Sequence, residues 1–274
     1  MNLRILMPTD FSPQADSALV LAKKIAEKVP VDLELLHIIP CRTEARLNDS
    51  GKVEVEEDSV EGYLNAQVEA ANKGFAIYDV SAFASVKTSI EFGPISSTII
   101  MKTPKGSYDA IIMGTKGAFG IKEFMSGSST QQVVRGSQTP VLSLMCDRSD
   151  WEVNNVLLIH QLKNNQAAVP NILKALVKSF NSTLHVFSNN DPESAVSEAV
   201  MKDFLEREGI PESNAVIHPN GISEKSVVQF DQRYQMDLIA VATEGRSALE
   251  QIFRPSVAEK LVNHMYKPIL TFHQ

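Results

Sequence analysis

Short apolar runs alternate with amphipathic stretches along the whole chain, and this alternation is typical of a parallel sheet covered by helices. The first apolar run covers residues 4–7. It is followed by Ser12 and Pro13, a helix-capping residue before a proline, and then by apolar residues at helical spacing as far as Ala26. These features predict one strand and one helix. In the rest of the first half they predict strands at 31–39, 80–87, 110–113 and 140–144. They also predict three helices: one that ends near 72, one that begins after Gly93-Pro94, and one at 128–135.

Two features of the first half have ordinary structural interpretations. The acidic segment 54–58 precedes the second predicted helix, and carboxylates are stabilised near a helix start by the helix dipole. We therefore interpret it as the solvated start of that helix, and not as a metal site. His37 lies within an apolar strand, which favours a hydrogen-bonded core histidine over a ligand.

The order of elements repeats in the second half. Strands are predicted at 156–159, 183–187, 215–218, 237–241 and 268–272, and helices at 167–180, 193–208 and 256–263. Residues 108–113 match 236–241, and residues 139–142 match 267–270, both at an offset of 128 positions. An internal duplication explains both matches. We expect one domain over residues 1–148 and a second over 149–274.

The composition narrows the class of protein. Hydrophobic residues make up 43% of the chain and charged residues 22%, as in an ordinary globular protein. The net charge of −7, without any basic block, argues against a nucleic-acid partner. No apolar run is long enough for a membrane span or an export signal, so we expect a cytoplasmic protein without a membrane partner. Cys41 and Cys146 lack the spacing of a zinc site.

Small residues cluster after the fourth predicted strand. Gly114 and Gly117 follow the buried run 110–113, and Gly127-Ser128 lie at the start of a predicted helix. Glycine lets the backbone approach a ligand, and a helix start offers N–H and hydroxyl donors to an anion. Ligands of open α/β sheets bind beyond the carboxyl ends of the strands, where the strand order switches. The cluster therefore predicts a phosphate site at this edge.

The spacing Gly-x2-Gly-x9-Gly-Ser resembles the nucleotide-binding motif of the universal stress protein family. Segments 6–12, 35–38, 109–113 and 139–142 are also similar to that family. The resemblance covers nearly all of the first half and, more loosely, the second. It implies an α/β fold of two tandem flavodoxin-like (adenine nucleotide alpha hydrolase-like) domains, each a five-stranded, mostly parallel, doubly wound sheet. It also implies that the last strands of the two domains pair as in the family's homodimer, and a homodimer of whole chains stays open.

The resemblance also implies a role for each site residue. Asp10 would hydrogen-bond the adenosine part of ATP, and Ile38 would pack near the adenine. The residues that would line the adenosine are Pro8, Thr9, Asp10, Ile38, Met113 and Gly114. The phosphates would be joined by a divalent cation such as magnesium. The residues that would surround the phosphates are Lys116, Gly117, Gly127, Ser128, Ser129 and Thr130.

The second half departs from the motif. The methyl group of Ala242 and the missing N–H of Pro255 hinder close backbone approach at two motif positions. Glu244 places negative charge where phosphates would lie, and Gln161 stands opposite the aspartate of the first strand. We therefore expect the second domain to bind ATP poorly or not at all.

Other interpretations of these residues stay open. Asp10 could serve only to organise the turn before the first helix, and the loop 114–117 could be a plain connection. Rival functions are an enzyme, such as a slow ATPase or a nucleotidyl transferase, and a scaffold that holds a different metabolite. The sequence offers no evident catalytic base, metal-ligand spacing or serine elbow. We therefore expect an ATP-binding stress-response regulator, with at most slow hydrolysis, that acts through an unidentified protein partner.

Overall fold

The structure is a computed structural model, and it describes residues 2–41, 45–55, 58–104, 106–115, 129–144, 150–160, 168–188, 197–218, 230, 233–243 and 267–273. The elements of the first half are β1 (Leu3–Pro8), α1 (Pro13–Ala26), β2 (Val31–Ile39), β3 (Ala45–Leu47), β4 (Val53–Val55), α2 (Asp58–Ile77), β5 (Ser85–Phe92), α3 (Ile95–Lys102), β6 (Ala110–Gly114), α4 (Ser129–Gly136) and β7 (Val141–Leu144). Those of the second half are β8 (Asn155–His160), α5 (Asn171–Ser179), β9 (Thr183–Ser188), α6 (Glu198–Glu208), β10 (Ala215–His218), β11 (Leu238–Thr243) and β12 (Ile269–His273).

Ten strands form one sheet in the order β10-β9-β8-β11-β12-β7-β6-β1-β2-β5, and β3 and β4 form a separate hairpin. Within each half the sheet strands run parallel. Apart from the hairpin, both halves have the same strand order: third, second, first, fourth, fifth. The predicted fold of two tandem doubly wound α/β units is confirmed.

The register of the strands repeats between the halves. In the first half Leu6 lies opposite Glu34 on one side and Ile111 on the other. In the second half Leu157 lies opposite His185 and Ile239. The three residues of the second half therefore lie at the same places in the sheet as the three residues of the first half. The offset of 128 around the fourth strand thus reflects two copies of one structural unit.

An aspartate directly precedes the fourth sheet strand in both halves. Asp109 accepts a hydrogen bond through Oδ2 from the backbone N–H of Arg4 at 2.8 Å. Asp237, at the equivalent position, accepts from the backbone N–H groups of Asn154 at 2.8 Å and Asn155 at 2.9 Å. The aspartate therefore anchors the start of the neighbouring first strand, which explains its presence in both repeats.

The two halves meet through their last strands, β7 and β12, which pair antiparallel. Leu142 lies opposite Leu270, and these residues are equivalent, so a pseudo-twofold axis passes between them. The side-chain bonds obey the same symmetry. Ser143 Oγ donates to the carbonyl oxygen of Ile269, and Thr271 Oγ1 donates to that of Val141, both at 3.3 Å. The predicted pairing of the last strands is confirmed.

The hydrophobic core differs between the two faces of the sheet. On one face a single cluster runs through both halves and includes Leu142 and Leu270 at the junction. Helix α1 packs on this face through Ala18, Leu21 and Ile25. On the other face each half has its own cluster. The core side chains of each strand are divided between the two faces because successive strand residues point to opposite sides of the sheet.

Three predicted boundaries in the first half are wrong. The helix predicted to end near 72 continues to Ile77. Glu54 does not begin a helix, because it lies in β4 opposite Arg46 of β3 and forms an ion pair with it at 2.9 Å. The predicted strand at 80–87 begins only at Ser85, since α2 continues to Ile77 and Asp79 then accepts from the backbone N–H of Ser81 at 3.2 Å, which forms a turn. The predicted helix 256–263 lies outside the described residues.

Candidate functional site

The predicted site residues that the structure describes lie at the carboxyl ends of β1, β2 and β6, which are adjacent in the sheet, and at the start of α4. The strand order switches here, because β1 is followed along the chain by β2 on one side while β6 and β7 lie on the other. A crevice of this kind is the usual ligand position in open α/β sheets. The site is built from the turn after β1 (residues 9–12, here the β1–α1 turn), the end of β6 and the start of α4.

The β1–α1 turn is fixed by short-range hydrogen bonds. The hydroxyl of Thr9 accepts from the backbone N–H of Phe11 at 3.0 Å, and Asp10 Oδ1 accepts from that of Ser12 at 3.1 Å. Ser12 caps α1 by accepting from the backbone N–H of Ala15 at 3.4 Å, as its sequence predicted. The side chain of Asp10 is exposed at the end of the turn, so its outer oxygen can accept hydrogen bonds from a ligand.

The backbone N–H, the carbonyl oxygen and the hydroxyl of Thr9 all form hydrogen bonds within the protein. Its backbone N–H donates to the carbonyl oxygen of Leu36 at 2.8 Å, and its own carbonyl accepts from Nδ1 of His37 at 2.8 Å. Its hydroxyl also lies 2.8 Å from the hydroxyl of Tyr78. Thr9 therefore shapes the wall of the site rather than offering a free polar group. The interpretation of His37 as a hydrogen-bonded core histidine agrees with this contact.

Burial raises the pKa of Tyr78 to about 12, and hydrogen bonding to the carboxylate of Asp16 together with the charge of Asp10 adds to the increase, while the bond to Thr9 opposes it. Tyr78 is therefore a neutral phenol at physiological pH. Sequence reasoning missed this residue, because it lies 69 positions from Thr9.

Gly114 makes room for the chain itself. A Cβ atom at this position would lie 1.9 Å from the carbonyl oxygen of Gln14 in α1. This glycine therefore permits close contact between the backbones of α1 and β6, in addition to any approach by a ligand. The sequence predicted ligand approach for this glycine and left open a plain connection, and the structure adds an internal packing reason.

Ile38 and Met113 belong to the same buried cluster, on the face of the sheet that α3 and α4 cover. Both are 7% exposed. The cluster also contains Leu6 and Leu36 from the neighbouring strands. Ile38 and Met113 therefore form a buried apolar wall near the carboxyl ends of β2 and β6, on either side of β1, which ends at Pro8.

Helix α4 begins beside the end of β6. Thr130 in its first turn donates through Oγ1 to the carbonyl oxygen of Gly114 at 3.5 Å, and Ser129 is the first helical residue. The other predicted phosphate ligands, Lys116, Gly117, Gly127 and Ser128, lie outside the described residues.

Thr115 is a buried residue of the site that sequence reasoning did not single out. Its backbone N–H donates to the carbonyl oxygen of Leu144 at 2.7 Å, but its hydroxyl is buried without a hydrogen-bond partner among the residues that the structure describes. An unpaired buried hydroxyl is costly. Its place between Gly114 and Lys116, inside the glycine motif, was the signal that could have drawn attention to it.

A comparison with known families decides what kind of protein this is. The model of the universal stress protein family matches residues 1–144 and 186–273. The chain belongs to the universal stress protein family. The two matched segments lie in separate halves of the sheet, so the tandem arrangement predicted from the sequence is confirmed.

Relatives of known sequence and structure agree with this assignment. The universal stress protein Slr1230 of Synechocystis sp. is 22% identical over 98% of this chain and 99% of its own length. The universal stress protein MJ0577 of Methanocaldococcus jannaschii is 29% identical over 52% of this chain and 94% of its own length. A crystal structure of a universal stress protein from Archaeoglobus fulgidus superposes with a TM-score of 0.70 at 18% identity, covering 99% of this chain and 96% of that one. This likeness shows the fold.

The second universal stress protein unit has bulkier residues at the equivalent edge. His160 occupies the position of Thr9 at the end of the first strand, and its ring lies 4.8 Å from that of Phe204 and 6.4 Å from that of Phe272. Ala242, equivalent to Gly114, is only 1% exposed. The second unit thus fills space that the first leaves for backbone or polar contacts. Gln161, Glu244 and Pro255 lie outside the described residues.

No three His, Cys, Asp or Glu side chains among the described residues are grouped to hold a metal ion. No described helix combines the length and the apolar character that crossing a bilayer requires.

Proposed function

We propose that the first unit of this universal stress protein binds ATP at the carboxyl ends of β1 and β6. The observation that carries the proposal is the approach of the α4 start to the end of β6, seen in the 3.5 Å contact between Thr130 and the carbonyl of Gly114. With this approach, the helix N-terminus would share one crevice with the exposed carboxylate of Asp10 and the apolar wall of Ile38 and Met113. The helix N-terminus would suit a phosphate, the carboxylate would suit a sugar, and the apolar wall would suit a base.

The phosphates would bind at the start of α4. The first N–H groups of a helix have no partner within the helix and lie at the positive end of its dipole, which favours an anion. The hydroxyl of Ser129 adds a donor, and Lys116 would add a positive charge by its place in the motif. A magnesium ion would be held mainly by phosphate oxygens and water, because Mg²⁺ usually keeps several waters and binds substrate phosphates.

The adenosine would bind towards β1 and β2. A carboxylate accepts hydrogen bonds from sugar hydroxyls but repels phosphates, so Asp10 suits the ribose and separates it from the phosphate end. Ile38 and Met113 supply apolar surface for the adenine, and the flexible thioether of methionine adapts to a flat ring. Gly114 lies between these groups and α4.

We further propose that the second unit acts as a partner and not as a second site. The imidazole of His160 replaces the small Thr9, and Ala242 replaces Gly114. Both changes add atoms at positions that border the crevice in the first unit, on the side that packs against α1 and Tyr78. The protein would then bind one nucleotide per chain and use the occupancy of one side to alter how the pair meets another protein.

Calorimetric titration of the nucleotide-stripped chain with ATP and magnesium tests the site and its number. We expect a stoichiometry of one. Asp10→Ala should weaken binding about 10- to 100-fold, because a hydrogen bond to a charged group contributes about 1.5–3 kcal/mol and each 1.4 kcal/mol is tenfold. Asp49→Ala removes an exposed carboxylate from the β3–β4 hairpin and should bind ATP as the unchanged protein does. Two equal sites, or equal loss in both variants, would contradict the proposal.

Hydrogen exchange measured with and without ATP tests the regulatory part. Protection should increase at the crevice and also in elements that do not line it, because a partner can sense only changes at the surface it touches. A change confined to the crevice would show that occupancy has no route to a partner.

A further inference from the structure

Phe11 has an unusual backbone conformation inside the β1–α1 turn. Its φ angle is 60°, in the left-handed region that a bulky side chain rarely adopts. Such a conformation persists only where the surroundings hold it. Phe11 directly follows Asp10, so whatever holds Phe11 also sets the direction of the carboxylate proposed to bind the ribose.

The ring of Phe11 is held by three aromatic rings. Its centroid lies 4.9 Å from that of His37, 5.2 Å from that of Phe75 and 5.8 Å from that of Tyr78. Phe75 lies in the last turn of α2, and Tyr78 follows that helix directly. These four residues, Phe11, His37, Phe75 and Tyr78, form what we call the aromatic clamp.

A glycine of α2 completes the clamp. A Cβ atom at Gly74 would lie 2.6 Å from Cε1 of the Phe11 ring. The ring therefore lies directly against the backbone of α2, and any side chain at position 74 would displace it. Gly62, in the same helix, has no described atom within 4 Å of the equivalent point.

Hydrogen bonds fasten the other side of Asp10. The hydroxyl of Thr9 accepts from the backbone N–H of Phe11, so its own proton is free to be donated to the hydroxyl of Tyr78, 2.8 Å away. Burial raises the pKa of Tyr78, and the carboxylate of Asp16 in α1 adds to the increase, so the phenol keeps its proton. Asp10 thus lies between two residues, Thr9 and Phe11, that Tyr78 contacts directly.

We propose that Tyr78 is a positioning residue for the nucleotide site, acting on Asp10 through Thr9 and Phe11, so that the carboxyl end of α2 sets the affinity for ATP. The inference rests on the proposed function of the first unit and adds to it a residue that does not contact the ligand. It also makes α2 the element that responds when the site is filled, since coupling between two groups is reciprocal.

Calorimetric titration of Tyr78→Phe with ATP tests the hydrogen bond. Affinity should fall about 3- to 10-fold, as expected for the loss of one ordinary hydrogen bond. The control is Tyr63→Phe, at a tyrosine of α2 that is 64% exposed, and it should leave affinity unchanged. Thr9→Val should weaken binding as well, Thr9→Ser should restore it, and the double variant Thr9→Val with Tyr78→Phe should bind no worse than Thr9→Val alone. Non-additivity of this kind identifies residues that act through one another.

Gly74→Ala tests the clamp without touching a hydrogen bond. Alanine favours the helix, so a thermal midpoint at or above that of the unchanged protein is compatible with the variant, but the displaced Phe11 ring should lower ATP affinity about tenfold. Gly62→Ala makes the same helix-favouring change in open space and should not alter affinity.

The outcomes separate this inference from the function on which it rests. If the unchanged protein binds no ATP, the proposed function fails. If it binds ATP and both Tyr78→Phe and Gly74→Ala bind equally well, or if the effects of Thr9→Val and Tyr78→Phe multiply, the positioning role is wrong and the site stands. If Tyr78→Phe has a lower thermal midpoint but unchanged affinity for ATP, then Tyr78 only stabilises the fold and does not position the site.

Discussion

At the scale of single residues, the space beside Gly114 is filled by the carbonyl oxygen of Gln14, and the same glycine belongs to a motif associated with phosphate binding. The observed demand on this residue is the packing of α1 on β6, and access for a phosphate is the demand that we propose beside it. The second unit has Ala242 at this position, buried at 1% exposure. The counterpart of Gln14 in the second unit lies outside the described residues.

Gly114→Ala should destabilise the protein by about 3 kcal/mol, at the upper end of the cost of overpacking, because the carbonyl of Gln14 is backbone and cannot rotate away. The reverse exchange at the equivalent position, Ala242→Gly, should cost about 1–2 kcal/mol through the lost methyl and the freer unfolded chain. Urea unfolding followed by circular dichroism measures both. Equal stability of Gly114→Ala and the unchanged protein would show that α1 can move aside.

Spacing in the sequence identified Gly114, Ser129 and Thr130 as neighbours in space, and Thr130 does contact the carbonyl of Gly114. Spacing could not reveal that Gln14 fills the place beside Gly114, nor that Tyr78 reaches Thr9. Both contacts join segments that are distant in the chain and carry no periodic signal. Such tertiary contacts depend on how helices lie on the sheet, which a single sequence does not state.

At the scale of elements, one carboxylate ties several pieces of the first unit together. Glu34 in β2 accepts from Ser89 of β5 at 2.7 Å and from Tyr108, which precedes β6, at 2.8 Å. It also pairs with Lys87 of β5 at 3.4 Å and with Lys102 of α3 at 3.2 Å. Burial alone would raise the pKa of Glu34, but these hydrogen bonds and the charge of Lys102 outweigh burial and lower it.

The stabilisation from Glu34 should depend on pH with a definite sign. A carboxyl group whose pKa is lowered by folding stabilises the native state above its usual value of 4.5, and the effect is lost as the pH falls through the lower folded value. Glu34→Gln should therefore be less stable by about 1–3 kcal/mol at pH 7, and the difference should shrink below pH 4.5. Urea midpoints measured between pH 7 and pH 3 test this.

Glu206→Gln serves as the control for that series, because Glu206 lies exposed on α6, in the other unit. Its stability should follow that of the unchanged protein over the whole pH range. A difference between Glu34→Gln and the unchanged protein that stays constant down to pH 3 would assign the effect to packing and not to charge.

Most elements could be predicted because apolar periodicity marks the buried strands and helices, as it does for β1, α1 and β2. The hairpin of β3 and β4 could not, since strands of three residues are too short to show alternation. β5 was misplaced because it lies at the edge of the sheet, where its first four residues are exposed and their pattern resembles a loop.

At the scale of the whole molecule, the continuous core on one face joins two units that have separate cores on the other. The single tryptophan, Trp151, lies in this shared core and donates through its indole N–H to the carbonyl oxygen of Asp237 at 3.0 Å. Trp151 therefore reports on the second unit, whereas the proposed ATP site lies in the first.

Unfolding should be one cooperative transition because the shared core cannot be divided without exposing it. Trp151 fluorescence and far-ultraviolet circular dichroism should give the same urea midpoint. ATP at about 100 times its dissociation constant adds about 2.7 kcal/mol to the native state, and it should raise the midpoint seen by Trp151 although it binds the other unit. Two separate midpoints, with only the first raised by ATP, would show that the units unfold independently.

The sequence predicted the internal repeat best among the features of the architecture. Two separate segments match later segments at the same offset, and such matches are explained by two copies of one structural unit. The strand order within each unit followed from the resemblance to a known family. Which hydroxyl groups bridge β7 and β12 did not follow, because Ser143 and Thr271 lie in short strands where any small polar side chain fits the periodicity.

The antiparallel junction through Leu142 and Leu270 lies within one polypeptide. A pair made of two separate chains would come apart on dilution, whereas this pair persists at any abundance because its partners are covalently joined. The two members are also free to diverge, since a change in one is not copied into the other. A symmetric assembly must keep two identical crevices or lose both, and this chain can specialise one while the other only supports it.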